Sequence, residues 1–269
     1  MKLIVRLRNG RSSVVAGMLA LAMAGSLDEA KADSCVLEST HAGMTFPIQH
    51  LTGDWACRLK VVIDHYTTAN TVGPLNTAMD ESMYRHLLDR PPLAAALINR
   101  LDLADYKAEL RGTGRWWAND GEGAEGMVEL VFQDRETRVY YLEGTHRSRL
   151  LPHLSGKAVV FLRMRPVKDS SDRDAMQSTM VAYTMLDNRF LSGLASLLRP
   201  LVGATVARKL AKGVEVVNRL GLEMRQRPER VLFEATDPPP LPEQDVAFLK
   251  QALDVRALPS VNRSGHSAP

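Results

Sequence analysis

"GMVELVFQDRETRVYYLEG", residues 126–144, carries the reading on which the fold turns. Its apolar residues recur with a period of two on both sides of the polar "DRE", the pattern of two strands joined by a tight turn. The same period holds in "YKAELRGTGRWW" (106–117), "KAVVFLRMRP" (157–166) and "QSTMVAYTML" (177–186). Five such segments with no helical pattern between them predict an antiparallel meander.

Working outward, "DWACRLKVVIDHY" (54–66) alternates Trp55, Cys57, Leu59, Val61 and Ile63 with Ala56, Arg58, Lys60, Val62 and Asp64, which predicts another half-buried strand. "MDESMYRHLLDRPPLAAALINRLDL" (79–103) predicts two helices split at Pro91-Pro92, with Asp80 or Ser82 opening the first and Asp89 capping the second. Downstream the period turns helical from about Phe190 to Arg225. There Val206, Leu210, Gly213, Val217, Leu220 and Met224 form one apolar stripe. Arg208, Lys209, Lys212, Glu215 and Arg219 break the run too often for a membrane span. A surface-lying helix making peripheral contact with a membrane fits the same pattern. Pro200 allows a fresh start that sets off "FLSGLASLL" (190–198) as a gate, and Gly213, costly inside a helix, implies close approach to the sheet or room for a ligand.

The fold class is therefore α+β, an antiparallel sheet with one face needing cover and one helix long enough to supply it. This order of elements, over residues 54–226, resembles the START-like, polyketide-cyclase-like superfamily with its helix-grip fold, in which a curved sheet wraps a long C-terminal helix. The resemblance implies a deep apolar pocket for a lipid, sterol, polyketide or similar hydrophobic small molecule, used for carriage or for catalysis. The chain departs from it by an extra N-terminal stretch, a cysteine pair and a tail.

The N-terminus reads as an export signal: Lys2, Arg6, Arg8 and Arg11 precede the apolar run Val14–Leu27, and "AKA" (30–32) predicts cleavage before Asp33. An uncleaved N-terminal anchor is the alternative. A periplasmic destination follows, and in an oxidising compartment Cys35 and Cys57 read as one disulfide. Without residues 1–32 the 34 Lys and Arg lose five and the 31 Asp and Glu lose two, leaving 29 of each. A chain of zero formal charge has no global footprint for nucleic acid. Four regions follow: the signal (1–32), a disulfide-linked N-terminal segment (33–53), the START-like ligand-binding domain (54–235), and a Pro-rich linker with short helix "EQDVAFLKQALD" and disordered tail (236–269).

Few residues carry chemistry. "GEGAEG" (121–126) matches a dinucleotide fingerprint by letter, but a strand pattern follows it and Glu122 and Glu125 would repel phosphate, so it reads as a turn. Glu143 and His146, with His153 behind, are candidates for an acid/base pair, a metal set or a structural contact. Asp64-His65 is weaker, since neighbours on a strand point to opposite faces. No GxSxG elbow and no spare cysteine offer a nucleophile, and no cofactor motif remains. Trp116, Tyr141, Phe161 and Tyr183 are the large side chains at alternating positions, and Arg163 shares a face with Phe161. They line the pocket if that face is concave, with Arg163 anchoring a polar head group; on the other assignment they are outer surface. A non-enzymatic binding protein, an enzyme using the same pocket, and a cell-envelope assembly factor are the functions consistent with this inventory.

Overall fold

The structure, a computed structural model, describes residues 35–147, 153–187 and 195–253, with side chains from 201 onward in the last stretch. The segment read as an export signal, most of the segment read as a gate and the end of the tail lie outside the described residues.

The N-terminal segment forms a two-residue strand pair, β1 (Thr40–His41) and β2 (Met44–Thr45), then a 3-10 turn at Ile48–His50. Residues 54–66 are not a strand but helix α1 (Trp55–Asp64). The alternation concealed a second spacing, Trp55, Leu59, Val62, Ile63, which lies along one side of a helix. Burial follows that spacing: Leu59 and Val62 are fully buried while Val61 is 50% exposed. The Cys35–Cys57 disulfide, with Cα atoms 4.7 Å apart, ties the segment to α1.

The strand comes next instead, as β3 (Thr68–Thr77), in a stretch that Gly73-Pro74 made unreadable as one. Its ladder shifts register between Val72 and Leu75, so the proline, which has no N–H, sits in a bulge on an edge strand. Helices α2 (Glu81–Asp89) and α3 (Pro91–Arg100) break where the prolines predicted. Asp80 caps α2, its Oδ1 accepting from the Met83 N–H at 2.9 Å. Asp89 does not cap α3; it accepts from Arg138 Nη2 at 2.6 Å, because the cap position falls one residue later on Arg90.

Then come β4 (Lys107–Gly112), β5 (Arg115–Asn119), β6 (Ala124–Gln133), β7 (Thr137–His146), β8 (Leu154–Lys168) and β9 (Asp174–Leu186). The first predicted strand segment is thus a hairpin, β4 to β5. Among the described residues these strands and β3 form one antiparallel sheet in the order β3-β9-β8-β7-β6-β5-β4, the expected meander with β3 added beside β9. Helix α4 (Ala195–Gln226) runs unbroken through Pro200, and α5 (Pro228–Thr236) and α6 (Glu243–Ala252) follow, the last opening after Pro242 as expected. α6 belongs to the fold: Val246 and Leu249 are buried with α2, α3, α5 and the end of α4 around Met164 and Met176.

Strand alternation and register sort the sheet into two faces. On one, Val139, Tyr141, Val159, Phe161 and Val181 pack under Phe46, Leu59 and Val62; this is the N-terminal face. The opposite face carries Trp116, Val128, Leu130, Tyr140, Leu142, Val160, Leu162, Met180 and Ala182, and α4 lies on its side of the sheet.

Candidate functional site

Helix α4 follows β3 and touches it at both ends. A Cβ built on Gly203 would sit 3.5 Å from Thr68 Cγ2, and one on Gly221 would sit 3.2 Å from Thr77 Cγ2. Between these contacts, a Cβ on Gly213, in the middle of the apolar stripe, would meet no atom of the described residues within 4 Å. Of the stripe, Leu220 and Met224 are buried, whereas Val206, Leu210, Gly213 and Val217 stay half-buried. The strand side matches. Val128, Leu130, Leu142, Val160 and Met180 are all half-buried, and they belong to none of the buried clusters formed by the described residues.

The far rim of this region is charged. Lys209 donates to Asp120 Oδ2 and Lys212 to Glu122 Oε1, joining α4 to the turn between β5 and β6. "GEGAEG" is that turn, as predicted. Gly121 and Gly123 have φ of 68° and 91°, and a Cβ on either would collide with a backbone oxygen. Asp120 Oδ1 accepts from the Glu122 and Ala124 N–H groups at 2.8 and 2.9 Å, which leaves Oδ2 for Lys209. Burial pushes the Asp120 carboxyl up, but Lys209 and those N–H groups outweigh it and hold the group below its ordinary value. His146 lies beside this rim with a buried Nδ1 that has no hydrogen-bond partner among the described residues; burial, then Lys209, lowers its pKa.

The predicted site residues divide between the faces. Glu143 and His146 are three apart on β7, so they point to opposite sides and form no acid/base pair. Glu143 is exposed, accepts from Tyr141 Oη at 2.6 Å and pairs with Lys157 at 3.1 Å; the tyrosine hydrogen bond lowers its pKa. His153 is exposed. Among the described residues no three His, Cys, Asp or Glu side chains gather as metal ligands would.

Tyr141, Phe161, Arg163 and Tyr183 share the N-terminal face and do not line the side under α4. Phe161 stacks on His41 with ring centres 4.4 Å apart and meets Phe46 at 4.7 Å. Tyr183 Oη lies 3.2 Å from His41 Nδ1. Trp55 meets Tyr141 edge-on, and the Arg58 guanidinium sits 4.0 Å over the Trp55 ring. Arg163 is exposed, with Glu136 at 3.9 Å. Of the predicted pocket residues, only Trp116, which is 6% exposed, and Gly213 stand on the α4 side. Alternation shows which side chains share a face, but not which face a segment 90 residues upstream will cover. The missed residues, from Val128 to Met180, are the other phase of the same alternation.

No protein-family model matches the chain, and no curated protein does. Among solved structures it overlaps a conserved protein of Geobacillus kaustophilus at 10% identity and a TM-score of 0.41, over 58% of this chain and 94% of that one. It also overlaps the protein XoxI of Bacillus cereus at 10% identity and a TM-score of 0.36, over 60% of this chain and 98% of that one. Likeness at this level assigns no family. Among the described residues no helix is long and apolar enough to cross a membrane.

Proposed function

We propose that this chain is an exported binding or carrier protein that holds a hydrophobic small molecule or lipid between the sheet and α4, in a helix-grip arrangement of the START-like kind. The observation that carries the reading is Gly213: the helix touches the sheet edge at both ends, yet a Cβ at its centre would meet no atom of the described residues within 4 Å. Strands β3 and β5 are five spacings apart, about 24 Å if the sheet were flat. A helix about 10–12 Å across with its side chains cannot bridge that distance. That α4 reaches Thr68 and Thr77 on one side and, through its lysines, Asp120 and Glu122 on the other supports a sheet curved around it, whose half-buried apolar residues would form the wall of an interior. Export is supported by the basic residues ahead of the apolar N-terminal run and by the Cys35–Cys57 bridge.

The test is to purify the full chain from cells, extract it with organic solvent and identify bound molecules by mass spectrometry, alongside Gly213→Leu. The variant is expected to melt within a few degrees of the parent and to lose its extractable ligand. Extracts from the two proteins that match, or a parent that binds no member of a lipid panel, would sink the reading.

A further inference from the structure

Arg138 is a charged side chain that the fold leaves short of partners. It is 3% exposed, and its Nη2 donates to Asp89 at 2.6 Å. The Tyr140 hydroxyl is its other polar neighbour, but Nε and Nη1 are closed off from solvent and make no hydrogen bond of good geometry among the described residues. A guanidinium cannot shed its proton, so these N–H groups remain buried donors, and each lost hydrogen bond to charge is costly. Arg100 shows the usual solution: it donates to the carbonyls of Glu234, Asp237 and Pro239 at the surface of the helical end.

The position of Arg138 gives the shortage a direction. It belongs to the α4 face, where the register sets it opposite Leu162, Leu162 opposite Met180, and Met180 opposite Val72. The adjacent row on the same face starts with Tyr140 and continues through Val160, Ala182 and Asn70. Arg138 thus ends one row of that face next to the buried Leu162, where α2 meets the sheet, with half-buried Met180 one strand further on. Tyr84 of α2 and Tyr140 both feel its charge, and burial raises both phenols above their ordinary pKa, so they stay protonated donors. The carboxylate in this group is Asp89, whose side chain is 52% exposed and screened by water. Around Arg138 the acceptors are thus the half-exposed Asp89 carboxylate and the neutral Tyr140 hydroxyl, which together do not satisfy all five guanidinium N–H groups.

We propose that Arg138 anchors the carboxylate head of an amphipathic ligand whose apolar chain lies along Tyr140, Val160 and Met180 beneath α4. The proposal rests on the interior binding reading above and assigns it a ligand class, a long-chain acid. The head group reaches Nε and Nη1 from within the interior, since neither atom is open to the outer surface. Asp89 competes with the ligand for the same guanidinium.

The probes are oleate, methyl oleate and oleyl alcohol, titrated against the full chain and followed by tryptophan fluorescence, with melting curves recorded for every variant. The parent should bind oleate about tenfold more tightly than the ester or the alcohol, as a charge-assisted hydrogen bond allows. Arg138→Met should erase that preference while leaving the alcohol's affinity within about threefold. Asp89→Asn, a change at a half-exposed residue, should strengthen oleate binding and leave the alcohol unaffected. If Arg138→Met fails to fold, Asp89→Asn and Arg138→Lys still read the acid preference. Equal binding of acid, ester and alcohol by the parent, or equal losses for all three in the variants, overturns the anchor and leaves the interior site standing. Binding of none of the three by the parent overturns the interior site itself.

Discussion

On the N-terminal face of the sheet, Val139, Val159 and Phe161 are at most 1% exposed, while their chain neighbours Tyr140 and Val160 on the α4 face are half-buried. The strands are the same and both phases are apolar; the covers differ. The N-terminal face is closed by short pieces, β1, β2, the 3-10 turn and α1, which a disulfide holds together and which can each settle into the surface. The other face is covered at one end by α2, α3, α5 and α6 around Met164 and Met176, and along the rest by one helix of 32 residues, which touches β3 and reaches the β5–β6 turn through lysines. Several short elements can follow a surface to native packing density, whereas one long rod touches it at fewer places. On the proposed reading, the half-buried middle of the α4 face is where a ligand has its space, and the closed N-terminal face supplies stability.

The adjacent valines of β8 break or sharpen this contrast most directly. Val159→Ala removes two methyl groups from a packed core and should cost about 2–3 kcal/mol, read from urea unfolding. Val160→Ala, on the half-buried side, should cost less than about 1 kcal/mol, because little packed volume is lost. Ligand content should respond in the opposite order, falling for Val160→Ala and holding for Val159→Ala wherever that protein is folded. Equal stability losses would mean that the two faces are packed alike.

The sequence made the sheet legible because its signal is repeated: several strands with one period leave little room for another reading. It misled at residues 54–66 because a run of ten carries both a two-residue and a helical spacing, and only tertiary cover decides between them. β3 was invisible for the opposite reason, since Gly73-Pro74 erased its period while the edge position made the proline harmless. The proposed pocket wall was half legible. Gly213 pointed to the side on which the reading places it, through its cost in a helix, but the aromatic residues drew attention to the face that the N-terminal segment closes. Arg138 carried no signal at all; next to "YYLEG" it reads as one more solvated arginine, and only its burial sets it apart.

A smaller effect is expected at the rim. Replacing Lys209 and Lys212 with alanine removes the ion pairs to Asp120 and Glu122, and exposed pairs of this kind contribute little to stability. The double variant should unfold at slightly lower denaturant, and the gap to the parent should narrow as salt rises. Its clearer sign should be kinetic: bound ligand should leave faster, in a stopped-flow exchange measurement, while the N-terminal face is untouched. An unchanged exit rate would place the entrance away from this rim.

Acid should separate the two faces by the least and in the most specific way. Burial lowers the pKa of His41 on the N-terminal face, of His146 at the rim, and of His86 in the helical end. A histidine whose folded pKa is depressed takes up its proton more readily after unfolding. Stability is then full above the unfolded value of about 6.5 and declines as pH falls below it, until the folded pKa is passed. One such proton gives a slope of at most about 1.4 kcal/mol per pH unit. His41→Asn should flatten the unfolding slope below pH about 6.5, with the part due to His86 and His146 remaining. His146→Asn should act mainly on release, because a proton on His146 repels Lys209 and competes for Asp120, loosening the rim rather than the core. If both variants flatten unfolding equally and neither alters acid-driven release, the closed and open faces titrate as one structure, and the division between them does not extend to their protons.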